Sequence, residues 1–439
     1  MPGNPRQFAP SRRLQSARDP TKAREHEAGC QAAIHMLTNV TSQSANTRSI
    51  NLRLPAALSV WRRPILGALS IWVVVRAVVV GWAVVVHAFQ PTGVAYFSQP
   101  NWFYTLFFHW DSSYFEEIAR TGYFAAGTPE KWQAFFPGYP LAARGFAALI
   151  WGPHLTTTRI EIALWLVSIV ASAVAAALLW RLVEDRYGAK VAAGATALFL
   201  AGPYSLFLVA SYSEALFIAL AIGAWMAASR GHWLASGVLA AFASLTRING
   251  LFLVAALAVL FISVQRKQGK PFLARTAALV GIGLSGLLSY FLYLFVMTGN
   301  PSAWTKAQSI GWHRALNWPW NTLMATIGQA LFDPAPAWRL QGSMEIVFAI
   351  LLVIATVVLI RRRLWAETVM VGLTALSMMT STTYMSLARD SIVLFPLFIL
   401  VATTLLQRRR RWIFWVTLAL GCVMLLVNTH QFTLGQWTD

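Results

Sequence analysis

From residue 64 onward the chain is a succession of apolar runs separated by short polar gaps. The first run, PILGALSIWVVVRAVVVGWAVVVHAF, exceeds the roughly 20 residues that a helix needs to cross the hydrocarbon core of a bilayer. The next apolar stretch, FFPGYPLAARGFAALIWG, is shorter and carries Arg144 and two prolines, so it reads as an interfacial or re-entrant piece. RIEIALWLVSIVASAVAAALLW is then the second full span. Continued along the chain, this reading gives about eleven spans, two or three of them short enough to be broken helices. The prediction is an all-α multi-pass membrane protein with amphipathic or re-entrant helices in its first outer loop. Residues 1–63 are expected to form a disordered basic tail and residues 64–439 the transmembrane domain, with outer loops over about 89–157 and about 298–341.

Charge fixes which gaps share a side. Arg53, Arg62 and Arg63 precede the first run, so the positive-inside rule keeps the N-terminus in the cytoplasm. RLVEDRYGAK, SRGH, QRKQGK, RRRLW and QRRRRW then all fall inside, whereas SYSE, LTRING, GNPSAWTKAQSIGWHR and SLARD all fall outside. The chain is 57% hydrophobic and has a formal net charge of +19. Its pI of about 10.8 would suit a nucleic-acid partner, but the basic clusters directly follow apolar runs, so the membrane account replaces that one. Cys30 and Cys422 lie far apart and offer neither a disulfide framework nor a thiolate metal site. The tail is not expected to be a cleavable signal peptide, because the first long apolar stretch is too long and lies too far in, and its composition makes Met36 an alternative start. Its sequon at Asn39 is expected to stay in the cytoplasm, unmodified.

Only 16 residues are acidic, yet Asp111, Glu116, Glu117 and Glu130 gather in the first outer gap. Ser113 and Glu116 have the spacing of a capping box, which predicts a helix starting at Ser113 with Glu116 reaching back to the cap. Tyr114, Phe115, Ile118 and Ala119 would cover one side of it, Glu116, Glu117 and Arg120 the other, and Gly122 would end it, giving an amphipathic helix on the membrane surface. Asp111 then precedes the cap on non-helical backbone and has no local structural task. A carboxylate near an apolar interface loses hydration and becomes a better base. Capping the same helix one turn earlier, or pairing with His109, is the alternative occupation for Asp111. His109 suits a hydrogen-bonding partner better than a metal ligand: no His/Asp/Glu cluster has ligand spacing, and no Asp-x-Asp pair is present to hold a nucleotide-sugar metal.

The stretch HWDSSYFEEIARTGY followed by AFFPGYP resembles the first outer loop of the GPI mannosyltransferase II (PIG-V-like) family, part of the GT-C superfamily of integral-membrane glycosyltransferases. AGPYSLFLVASYSEALF, LTRINGL, TGNPSAWTKAQSIGWHR and SLARDSIVLFPLF extend the resemblance in order, from Phe107 to Leu397. It implies a GT-C-like fold and transfer of mannose from a polyprenyl-phosphate donor to the hydroxyl of a lipid- or glycan-linked acceptor, on the outer face, without a metal or other cofactor. It also carries the role of catalytic base onto Asp111. One departure is Asp390, where related sequences carry an aromatic residue after the arginine of SLAR.

With a lipid-linked donor in view, His109 and Trp110 beside Asp111 become candidate substrate contacts. Arg247, Lys306, Arg314 and Arg389 are candidates for the donor phosphate, because outer cations have no topological reason to be there. The alternative for Arg247 and Arg314 is snorkelling to lipid head groups. Gln308 is a candidate for a sugar hydroxyl. Glu214 is expected to act mainly as a dipole partner at the start of a span, with hydrogen bonding to a sugar hydroxyl as the alternative. Trp304, Trp312, Trp318 and Trp320 are expected to form an aromatic belt, with stacking on a sugar as the alternative. The excess of Arg over Lys and the abundance of alanine point to a bacterial plasma membrane, for which a GPI precursor is not the expected acceptor; a eukaryotic source would place the protein in the endoplasmic reticulum. A transporter or flippase of a lipid-linked substrate is the rival class.

Overall fold

The computed structural model describes residues 56–89, 106–406 and 411–438. Most of the expected tail, with Cys30, Met36 and Asn39, lies outside these residues, as does the 90–105 part of the first outer loop. The described residues form helices and no strand. In chain order these are α1 (Ala56–Phe89), α2 (Asp111–Thr121), α3 (Gly138–Trp151), α4 (Thr157–Tyr187), α5 (Ala189–Leu200), α6 (Glu214–Ser229), α7 (Trp233–Thr246) and α8 (Asn249–Lys267). They continue with α9 (Leu273–Thr298), α10 (Ala303–Trp312), α11 (Pro319–Phe332), α12 (Pro336–Arg361), α13 (Trp365–Met379), α14 (Leu387–Asp390), α15 (Phe395–Leu406) and α16 (Arg411–Thr433). Helix α1 begins at Ala56, within the stretch expected to be tail.

Six helices, α1 from Trp61 together with α4, α8, α9, α12 and α16, are long and apolar enough to cross a membrane. A seventh span results if Leu387–Val393 and Phe395–Leu406, bent by 80°, are taken as one. The expected count of about eleven is not confirmed on this measure, because α5, α6, α7 and α13 are apolar but fall short of the roughly 20 residues a straight span requires. Helix α3, with 14 residues, is likewise too short to span.

Helix direction alternates, so the polar gaps sort into two opposite ends. At one end Arg63 pairs with Glu184 at 3.4 Å, Arg230 with Asp185 at 3.3 Å, and Arg362 donates to Thr404 at 2.8 Å. The segments around Arg63, RLVEDRYGAK and SRGH therefore meet, and Arg362 of RRRLW joins the end of α15. At the other end lie the N-termini of α4, α6, α8 and α12 and the C-termini of α7, α9 and α13, together with all of α2, α3, α10 and α14. The 31 residues of α4 run from one end to the other, a rise of about 46 Å.

Small residues let the helices approach closely. A Cβ on Gly286 of α9 would sit 2.0 Å from the Ala241 carbonyl oxygen of α7, and Ser244 of α7 donates to the Gly283 carbonyl at 2.7 Å. Gly138, the first residue of α3, packs so tightly on the end of α7 that a Cβ would lie 2.7 Å from the Leu245 carbonyl oxygen. This contact holds the first polar loop against Arg247, the residue at which α7 stops in an extended conformation.

Candidate active site

Helix α2 starts at Asp111, two residues before Ser113. The expected capping box is absent: Ser113 Oγ donates to the Trp110 carbonyl at 2.8 Å, and Glu116 receives Arg120 at 3.1 Å. The cause is Trp110, whose φ of 55° turns the chain sharply and starts the helix early. Asp111 is thus the first helical residue and not part of a loop. Its helix does not lie open on a surface either, since Asp111, Phe115, Glu116, Ile118 and Ala119 are all buried.

Asp111 meets neither a cap nor His109 but Arg389, Nη2 to Oδ2 at 3.1 Å. Arg389 Nε reaches Glu214 Oε1 at 3.1 Å, and the same oxygen receives Arg247 Nη1 at 3.0 Å. Arg247 Nη2 completes the chain on Asp390 Oδ1, and its Nη1 also donates to Ser213 Oγ at 3.0 Å. Three carboxylates and two guanidiniums therefore form one connected network, with Glu214 fully buried at its centre and Arg247 the most exposed member. The guanidinium of Arg389 also lies over Phe207 and Tyr212, 4.8 and 5.1 Å from their ring centres, contacts that favour a desolvated cation. The Tyr212 hydroxyl donates to the His109 carbonyl at 3.1 Å and accepts from the Asp111 amide at 3.3 Å, tying the start of α2 to the segment before α6.

The network borders a cavity of about 120 Å³ onto which Asp111, Arg247, Arg389, Asp390, Gln308 and Arg314 face. Trp304, Trp312 and Trp437 supply aromatic wall. Four non-glycine residues have positive φ among the described residues, and three abut this site: Trp110 before Asp111, His313 before Arg314, and Ser386 at the start of α14. Such backbone strain persists where packing over-determines it and concentrates at functional sites.

Burial raises the proton affinity of the Asp111 carboxyl; Arg389 opposes that rise, Glu214 adds to it, and the net direction is upward. His109 is pushed down to about 4 by burial, so its imidazole is neutral at ordinary pH. Its ring stands edge-on to Phe432 with centroids 5.2 Å apart, outside the cavity wall. Trp110 also turns away from the cavity, donating to the Gln436 carbonyl at 3.3 Å and packing edge-on against Trp437.

Of the candidates, Asp111, Arg247, Gln308, Arg314 and Arg389 converge, whereas Lys306 does not. Its ammonium pairs with Glu130 Oε2 at 2.9 Å on the open face of α10, both side chains 55% exposed. Arg247 is no snorkelling side chain, being only 13% exposed within the network. Arg314 also donates to the Met385 carbonyl at 3.1 Å, joining the cavity to the approach of α14. Trp318 and Trp320 stack on each other at 5.0 Å and remain exposed, as a belt requires, but Trp304 and Trp312 have left that role for the cavity. Sequence reading undervalued Glu214, which is the hub and not simply a dipole partner; its position in SYSE beside the outer arginines was the available signal. Asp390 neutralises Arg247 and not its neighbour Arg389. Trp437 carried no signal, lying beyond every quoted motif.

Fold and site together define an all-helical, multi-pass membrane protein with an acid-and-arginine cavity at one end of its bundle. Residues 88–297 match the family model described as Mannosyltransferase (PIG-V), which places that region in the PIG-V-like family and supports a glycosyltransferase role in mannosyl transfer. Asp111, Glu214 and Arg247 lie within the matched region, while Gln308, Arg314, Arg389 and Asp390 close the site from beyond it. No curated protein matches the chain significantly.

Proposed function

We propose that the protein transfers mannose from a polyprenyl-phosphate donor to an acceptor hydroxyl on the outer membrane face, with inversion in a single displacement. The observation that carries this reading is a buried carboxylate of raised proton affinity, Asp111, facing a cavity beside two arginines that are themselves held by other acids. Asp111 takes the proton of the acceptor hydroxyl as that oxygen attacks the anomeric carbon. The bond from that carbon to the phosphate oxygen breaks, its electron pair leaves with the phosphate, and the guanidiniums of Arg389 and Arg314 stabilise the resulting charge. Gln308 offers an amide to a sugar hydroxyl from the wall formed by α10.

A second feature suits a prenyl donor. An apolar slot of about 490 Å³ runs among α5, α12, α15 and α16 and reaches Ser391, adjacent to Asp390. A chain of isoprene units seated there would bring its phosphate to the network from within the lipid.

The test is reconstitution of the purified protein with labelled polyprenyl-phosphate mannose and a panel of hydroxyl acceptors. Transfer that is lost in Asp111→Asn while donor binding persists is the expected result. Retained transfer in that variant would overturn the base assignment, and movement of the donor across the bilayer without transfer would favour a flippase.

A further inference from the structure

Arg389 must hold one orientation to serve Asp111, Glu214 and a donor phosphate together, yet its own segment is a poor anchor. Helix α14 has four residues and follows Ser386, which is in the left-handed region at φ 63°. A single helical turn has little stability of its own. The missing anchor lies on α12, beyond the region matched by the family model. Glu345 is 1% exposed there, and its Oε2 accepts a hydrogen bond from the Ala388 amide at 3.0 Å. Ala388 is the residue immediately before Arg389.

A buried backbone amide left without an acceptor is costly, so the Glu345 oxygen that receives Ala388 is a structural necessity at this turn. Helix α12 is also a firm support: it is 26 residues long and packs on α11 so closely that a Cβ on Gly342 would lie 3.1 Å from the Ala330 amide nitrogen. The two ends of Arg389 are thus fixed separately. Glu214, Asp111 and the faces of Phe207 and Tyr212 orient the guanidinium, while Glu345 pins the backbone that carries it.

We infer that Glu345 is the positioning residue for Arg389, setting the main chain of α14 so that the guanidinium stands ready for the phosphate of the donor. The inference rests on the donor reading above, and its test separates the two. Full-length protein in nanodiscs is assayed for donor and acceptor KM as wild type, Glu345→Met, Glu345→Gln, Arg389→Gln and the Glu345→Met/Arg389→Gln double variant. Methionine fills the same space without an acceptor oxygen, whereas glutamine keeps one. Leaving the buried Ala388 amide without its acceptor predicts a rise of about tenfold in donor KM for Glu345→Met, with acceptor KM unchanged. Glu345→Gln should restore most of the donor affinity. The double variant should be no worse than Arg389→Gln alone, because both act through one guanidinium.

Additive effects in the double variant, or a normal donor KM in Glu345→Met when Arg389→Gln is impaired, would overturn the inference and leave the donor reading standing. An unchanged donor KM in Arg389→Gln would overturn the donor reading itself, and the inference with it. Amide hydrogen exchange provides a readout independent of turnover. Faster exchange over Leu387–Asp390 in Glu345→Met, with α12 still protected, is expected, and unchanged exchange there would overturn the proposal.

Discussion

At the scale of a single residue, the proposed chemistry depends on the surroundings of Asp111. A general base works only when deprotonated, so kcat/KM should fall as pH drops through the Asp111 pKa. Because burial raises that pKa, the acid limb of the pH profile should lie above the ordinary carboxylate range. A limb in the ordinary range would show that the group is solvated during turnover. Asp111→Asn should lower kcat by roughly 10²–10⁴-fold, the usual contribution of a positioned base, while donor binding measured by equilibrium dialysis stays close to wild type. His109 contributes through its main chain, since its carbonyl receives Tyr212 while its ring remains apart from the cavity. Exchanging its imidazole for another planar group should therefore cost less activity than removing the Tyr212 hydroxyl. Comparison of His109→Phe with Tyr212→Phe checks the order.

At the scale of elements, the site is an assembly of helix ends, and what matters is how closely those ends approach. Gly138 starts α3 against Leu245, two residues before Arg247. Gly138→Ala must displace that backbone, and such overpacking costs typically 1–3 kcal/mol. The expected outcome is a lower melting temperature and a raised donor KM, both measurable on the purified protein. The apolar slot gives a complementary test. Ala355 lines it, so Ala355→Trp should weaken a long-chain prenyl donor while leaving a donor with a truncated lipid nearly unaffected. Equal loss with both donors would mean that the slot serves packing alone.

The helical elements were largely legible in the apolar runs, because each run must satisfy its backbone internally wherever lipid surrounds it. The start of α2 was not legible. The serine-to-glutamate spacing is a genuine local signal for a cap, but the left-handed turn at Trp110, supported by Trp437 and Gln436 more than 300 positions away, overrode it. The span count met a similar limit. Several interior helices are shorter than a bilayer crossing, and hydrophobic runs alone do not separate a short helix enclosed by others from a full span.

On the scale of the whole molecule, the two ends of the bundle carry different chemistry. Among the described residues, Arg63, Arg230 and their acidic partners Glu184 and Asp185 meet at one end and the cavity with its acids lies at the other, joined by helices such as α4. By the positive-inside rule the cavity is expected to face outward. Single cysteines at Ser309 and Arg363, introduced into a cysteine-free background, should be labelled by an impermeant maleimide from opposite sides of sealed vesicles. Labelling from the same side would contradict the two-ended arrangement.

The sequence by itself determined a helical membrane protein, the sorting of its charges between two ends, and Asp111 as a carboxylate in the first polar gap, beside apolar residues. Those properties follow from local composition, since hydrophobicity and charge act wherever a residue stands. Only the tertiary structure decided that Arg389 meets Asp111 across 278 positions and Glu214 across 175, and that Asp390 neutralises Arg247 across 143. Ion pairing and desolvation depend on distances of a few ångströms, and packing of distant helix ends is what sets those distances.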